Sequence, residues 1–136
     1  MSTASVHYIV DDVDAAIDFY CRELGFEQQM HPDPAFAMLT RGDLRLVLVS
    51  PVGPDHPGGG SRPMPDGTKQ QPGGWNRIML QVSDLGSAVE ALRSQGVRFR
   101  NEIVTGIGNK QVLVEDPAGN VVELFEPIRS EARLST

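Results

Sequence analysis

Ser5-Val6-His7-Tyr8-Ile9-Val10 alternates and is rich in β-branched and aromatic side chains, which predicts a strand. The period then changes. Val13, Ala16, Ile17, Tyr20 and Leu24 recur at three- and four-residue spacing, which predicts an amphipathic helix over 13–23. Asp12 suits its N-cap, and Asp12 and Asp14 favour the positive helix end. Gly25 suits a left-handed stop. Phe26–Met30, Phe36–Thr40 and Leu44–Ser50 read as strands, with Arg41-Gly42-Asp43 as the turn between the last two.

The same order then returns. Asn76–Val82 reads as a strand, Asp84 as an N-cap, and 85–95 as a helix carrying Leu85, Ala88, Val89 and Leu92 on one face. Gly96 ends it. Val97–Phe99, Gln111–Val114 and Val121–Glu126 read as strands. Asp116-Pro117-Ala118-Gly119-Asn120 is a turn, because Asp opens turns, Pro presets φ, and Gly and Asn tolerate positive φ. The copies repeat at an offset of 72 residues, Val10 answering to Val82. An internal repeat fixes architecture. Each half is β-α-β-β-β, so the expected class is α+β: two βαβββ modules forming a curved mixed sheet with a trough. The expected organisation is one domain over 1–136. Module one covers about 5–50, a linker 51–74 and module two about 75–127. A polar tail over 128–136 is expected to fray.

The linker breaks all periodicity. Pro54, Pro57, Gly58-Gly59-Gly60, Pro63, Pro65, Gly67, Pro72 and Gly73-Gly74 cannot sustain a helix or a central strand. It either covers part of a pocket or simply tethers the modules.

Composition narrows the function classes. At 136 residues the chain is long enough for one proper core. A formal charge of −6 with no basic cluster argues against nucleic acid. The lone Cys21 excludes an internal disulfide; it reads as a small buried helix residue or, alternatively, a reactive thiol. With no basic-apolar leader and no stretch of membrane-spanning length, the expectation is a cytoplasmic protein with no membrane partner.

Strand parity separates two faces. Val6, Tyr8, Val10, Ile78, Leu80 and Val82 form the more apolar set, expected to pack on the helices. Ser5, His7, Arg77, Met79 and Gln81 then face the trough. His7 reads as a hydrogen-bonded sheet histidine, a ligand contact or an acid–base group. An improvised site of His7, Glu123 and the loop histidine His56 is conceivable. Trp75, the lone tryptophan, either caps the core or stacks on a flat ligand. Met30, Phe36, Met38, Met64, Met79 and Phe125 are expected mostly in the core, although Met79 and Phe125 share parity with Arg77 and Glu123. Apolar walls with a few polar anchors suit a small organic ligand. No phosphate-binding glycine loop, Gly-x-Ser-x-Gly elbow or paired-cysteine zinc motif is present.

Three stretches carry a family resemblance. They are Asp12-Val13-Asp14-Ala15-Ala16-Ile17-Asp18-Phe19-Tyr20 with Leu24-Gly25-Phe26, Val82-Ser83-Asp84-Leu85 with Gly96-Val97, and Glu115-Asp116-Pro117-Ala118-Gly119-Asn120-Val121-Val122-Glu123-Leu124. Together they span roughly residues 5 to 127. The chain resembles the vicinal oxygen chelate superfamily, which includes glyoxalase I, extradiol dioxygenases, fosfomycin-resistance enzymes and bleomycin-resistance proteins. The resemblance implies the glyoxalase/bleomycin resistance/dihydroxybiphenyl dioxygenase fold. It also implies four inward-facing positions, on the first and last strand of each module, which hold a divalent metal in the enzymes.

Carried over one at a time, those positions are poorly filled. Glu123 is a competent ligand. Arg77 is permanently cationic and cannot bind a metal. Ser5 is a poor ligand. The fourth position falls within Leu44–Val49, which offers no ligand. The expectation is therefore no metal and no cofactor, with Glu123 the only surviving ligand-type residue. Arg77 and Glu123 are instead expected to pair, each charge neutralising the other. The resulting function is a binding protein of the bleomycin-resistance type, with an acidic surface suited to a cationic drug, or an accessory protein that binds a metabolite. His7, Trp75, Arg77, Met79, Glu123 and Phe125 are the candidate ligand contacts, in the trough or a dimer crevice. The alternative is a divergent metal-dependent lyase, isomerase or dioxygenase with a non-standard ligand set. A homodimer is the family expectation.

Overall fold

A computed structural model describes residues 4–56 and 61–134. The Gly58-Gly59-Gly60 run of the linker and the last two residues of the tail lie outside the described residues. The chain forms two compact units. One holds the chain through Gly73 together with Pro117–Asn120, and the other holds Gly74–Asp116 and the chain from Val121 onward.

In the first unit, β1 (Ala4–Ile9) leads through α1 (Val13–Asp18) and a π-helical turn (Phe19–Glu23) to β2 (Glu27–Asp33), β3 (Phe36–Arg41) and β4 (Leu44–Val49). The strand order is β1-β4-β3-β2, with β1 parallel to β4 and the other pairs antiparallel. Asp12 caps α1 by accepting a hydrogen bond from the Ala15 N–H at 3.1 Å. Gly25 stops the helical run at φ 75°. The single predicted helix over 13–23 is thus corrected: its last turn widens. The cause is the aromatic packing. Phe19 and Tyr20 are adjacent in sequence, yet both are buried. Tyr20 meets Phe19, Phe26 and Tyr8 edge-on, with ring centroids at 5.0, 5.5 and 6.5 Å. A wider turn lets neighbouring rings share one core where 100° steps would separate them.

The second unit repeats the plan. β5 (Ile78–Gln81) leads through α2 (Leu85–Ser94) to β6 (Arg98–Phe99), β7 (Val104–Thr105), β8 (Asn109–Glu115) and β9 (Val121–Pro127). The order is β5-β9-β8-β6, with β7 also on β8 and β5 parallel to β9. Asp84 caps α2 through the Ser87 N–H at 3.1 Å. Ile78, Leu80, Val112, Val114, Val122 and Leu124 are buried, as are Leu85, Val89 and Leu92 on the helix. Burying each such side chain contributes roughly 1.5–3 kcal/mol.

Three further expectations change. The two-residue β7 had no periodic signal. The tail does not simply fray, since Ser130–Ala132 makes a 3-10 turn and the Leu134 N–H donates to Gln81 Oε1 at 2.7 Å. The linker has no strand or helix among its described residues, but it is internally bonded. The Met64 N–H reaches the Thr68 carbonyl at 2.8 Å, and Arg62 Nε reaches the His56 carbonyl at 2.7 Å. A cavity of about 330 Å3 lies within it, lined in part by Pro51, Val52, Ser61 and Lys69. Among the described residues, no helix is long and apolar enough to cross a membrane.

Candidate functional site

The pairing registers decide which side chains share a face. Met79 lies beside Glu123, Gln81 beside Phe125, Leu113 beside Glu123, and Arg98 beside Glu115. These side chains point away from the face that packs on α2, as strand alternation requires. The same registers locate the fourth family position. His7 pairs with Val47 as Met79 pairs with Glu123, so Val47 is the counterpart of Glu123 in the first unit.

Glu123 is almost fully buried, with its side chain 4% exposed. Arg77 Nε donates to Glu123 Oε1 at 2.9 Å, and Arg77 Nη1 donates to the Trp75 carbonyl at 3.1 Å. The expected Arg77–Glu123 pair is therefore present. Next to it runs a second ion cluster. Arg100 Nε donates to Glu115 Oε2 at 2.9 Å, Arg98 Nη2 lies 3.5 Å from Glu115 Oε1, and the Arg100 guanidinium sits 4.8 Å from the centre of the Trp75 ring. Trp75 joins the two clusters, bonded to Arg77 through its backbone and covered by Arg100 over its ring.

Trp75 does not cap the core: it is 68% exposed. Met79, Met30 and Met64 are also exposed rather than in the core, and Phe36 and Met38 are half-buried. Phe125 lies on the face of Glu123 but is buried, as Val121 and Glu123 on that face are, so it is not an exposed ligand contact. His7 is exposed, and its side chain makes no hydrogen bond among the described residues, which does not fit its reading as a histidine bonded within the sheet. His56 lies 3.6 Å from Asp33 Oδ2. Cys21 is half-buried, and burial, followed by the Asp18 carboxylate, pushes its thiol up.

Nothing in the sequence singles out Arg98 or Arg100, and Glu115 stands out only as the start of a turn motif. Arg98-Phe99-Arg100 alternates with period two, which puts both guanidinia on one face, but a short strand does not announce its direction. Asn120 was read only as a turn former. It is 5% exposed, its Oδ1 accepts from the Gly73 N–H at 2.8 Å, and its Nδ2 donates to the Ile9 carbonyl at 2.7 Å.

A divalent metal of the kind the fold family uses does not fit this residue set. Ser5 and Val47 stand at the first unit's positions, and at the second unit's positions a guanidinium is bonded to the one carboxylate. Among the described residues, no three His, Cys, Asp or Glu side chains are grouped to hold a metal ion.

Duplicated βαβββ units with a parallel first and last strand define a glyoxalase-like protein. The chain belongs to the Glyoxalase/Bleomycin resistance protein/Dioxygenase superfamily, whose family model matches residues 3–124. It is similar in structure to lactoylglutathione lyase from Agrobacterium tumefaciens, at 21% identity, 92% coverage of each chain and a TM-score of 0.70. A superfamily member from Sphaerobacter thermophilus is 28% identical, with 93% of this chain and 97% of that one covered and a TM-score of 0.71. TnmS3, an antibiotic binding protein from a Streptomyces species, is 25% identical, with coverage of 93% and 98% and a TM-score of 0.66. No curated protein matches the chain.

Proposed function

We propose that this chain is a metal-free binding protein that takes up a small organic molecule, an antibiotic or a metabolite, beside the Arg77–Glu123 pair of the second unit. The observation that carries this reading is the Arg77–Glu123 bond at 2.9 Å. It commits the one ligand-type carboxylate to a fixed internal cation. Exposed Trp75 and Met79 beside that pair supply apolar contact, and the likeness to an antibiotic binding protein supports the same class of activity.

Metal analysis of the purified protein, before and after incubation with iron, manganese and zinc, tests the metal-free part. Sub-stoichiometric metal is expected. About one metal per chain at micromolar affinity would favour the lyase, isomerase or dioxygenase reading instead. A thermal-shift screen over antibiotics, small diacids and diketones tests the binding part. A ligand at 100 times its dissociation constant adds roughly 2.7 kcal/mol to stability.

We also propose a homodimer. Ile107 is 88% exposed, and the neighbouring Gly108 carbonyl accepts from the N–H of half-exposed Ile128. A second copy would remove such apolar surface from water.

A further inference from the structure

We propose that the cavity within the linker is a second binding site, distinct from the Arg77–Glu123 pair, and that it takes a small carboxylic acid with a compact apolar body. Its described lining belongs wholly to the first unit.

The first observation is the hydroxyl of Ser61. Ser61 lines the cavity and is only 6% exposed. Its hydroxyl has no protein hydrogen-bond partner among the described residues, whereas a buried polar side chain ordinarily has one. No fully enclosed side-chain oxygen or nitrogen among those residues lacks a partner, so the Ser61 oxygen is not sealed in. The open space it meets is the cavity it lines. A hydroxyl both donates and accepts, and both capacities are turned toward an occupant.

The second observation is that the space is held open. Pro51, Pro54 and Pro63 wall it with apolar rings whose φ is fixed. Cross-bonds tie the two runs of the linker together. The Val52 N–H donates to the Ser61 carbonyl at 3.3 Å, Arg62 Nε to the His56 carbonyl at 2.7 Å, and Gln70 Nε2 to the Arg62 carbonyl at 3.0 Å. A braced cavity needs little ordering when a ligand enters. Its volume of about 330 Å3 lies at the lower end of ligand pockets, which run from roughly 300 to 1,000 Å3, so the occupant is small.

The third observation is charge. Lys69 is the one charged residue in the described lining, and no carboxylate shares that lining. Its ammonium makes no ion pair or hydrogen bond among the described residues. Asp55 and Asp66 of the linker are exposed, and the Asp66 carboxylate already accepts from the Thr68 N–H at 2.9 Å. The chain's −6 charge opposes an anion at a distance, but exposed charges beyond about 8 Å are largely screened at physiological salt. An ammonium and a hydroxyl together satisfy a carboxylate, and the proline walls take the apolar remainder.

The test uses three ligands of one shape: benzoate, benzamide and benzylamine. Binding is followed by the backbone amide resonances of Val52, Ser61 and Gln70, with those of Met79 and Gln81 reporting on the second unit. Benzoate is expected to shift the linker set and to bind about fivefold or more tighter than benzamide, the scale of one charge-assisted contact in a partly solvated site. Lys69→Met keeps the stem and should abolish that preference while benzamide still binds. Ser61→Ala removes one oxygen and should weaken benzoate about threefold or more. Equal or tighter binding of the amide or the amine overturns the proposal. So does an acid preference that survives Lys69→Met, or a benzoate affinity that Ser61→Ala leaves unchanged. If benzoate at millimolar concentration moves none of the linker resonances, or only those of the second unit, the linker site is refuted, and the thermal-shift screen decides the wider binding function separately.

Discussion

Arg77 and Glu123 hold each other in place, and their energetics are unequal. Glu123 is buried and Arg77 is partly in solvent. Removing the arginine leaves a buried carboxylate without its donor, whereas removing both leaves apolar atoms in an apolar setting. Arg77→Met is therefore expected to lower unfolding free energy by about 2 kcal/mol in urea melts. Adding Glu123→Met should restore most of that loss. Equal destabilisation in the single and double variants would show that the pair carries no special weight. At the same scale, the raised Cys21 thiol should react with an aromatic disulfide at neutral pH more slowly than free cysteine does. The Arg77–Glu123 pair was legible in the sequence because the family resemblance put both residues at positions that face one site, where a guanidinium and a carboxylate neutralise each other. The exposure of Trp75 was not legible, since solvent exposure depends on what the rest of the unit leaves uncovered.

Between elements, His31 ties β2 to α1. Its Nδ1 lies 2.8 Å from the Phe36 carbonyl and its Nε2 lies 2.9 Å from Asp14 Oδ1. Two oxygen acceptors favour an imidazolium that donates from both nitrogens. The carbonyl bond to Phe36 and then the bond to Asp14 raise the group above its ordinary value, against a smaller opposing effect of burial; Asp14 and Asp33 add attraction. A histidine raised on folding stabilises the protein fully below its unfolded pKa, and the contribution fades as pH rises through the folded value. Asp14→Asn is thus expected to lower the urea midpoint at about pH 5.5 and to lower it less at about pH 8.5, bracketing the ordinary histidine value. A pH-independent effect would remove this account of the tie. Asn120 acts between elements too. Asn120→Ala removes the partner of the Gly73 N–H and of the Ile9 carbonyl from a buried side-chain position, and a loss of about 1 kcal/mol is expected in the same melts. Helix starts and glycine stops were readable because caps are local chemistry. The π-helical turn was not, because it answers to Tyr8 and Phe26 arriving from other strands.

Across the whole chain, the proposed dimer gives a direct check. Ile107→Lys should shift the sedimentation coefficient toward that of a monomer if the exposed apolar surface near β7 is the contact, with thermal stability unchanged apart from the concentration-dependent part. An unchanged sedimentation profile would move the interface elsewhere. The duplication, the βαβββ plan of each half and the helix caps were determined by sequence alone, because each follows from periodicity and short-range backbone chemistry. Tertiary structure decided the rest. It set β1 against β4 so that Val47 stands in the place of Glu123, and it brought Arg98, Arg100 and Glu115 onto the same face as Arg77 and Glu123. The reason is physical: composition sums charges without regard to place, while pairing register and burial determine which charges share a surface.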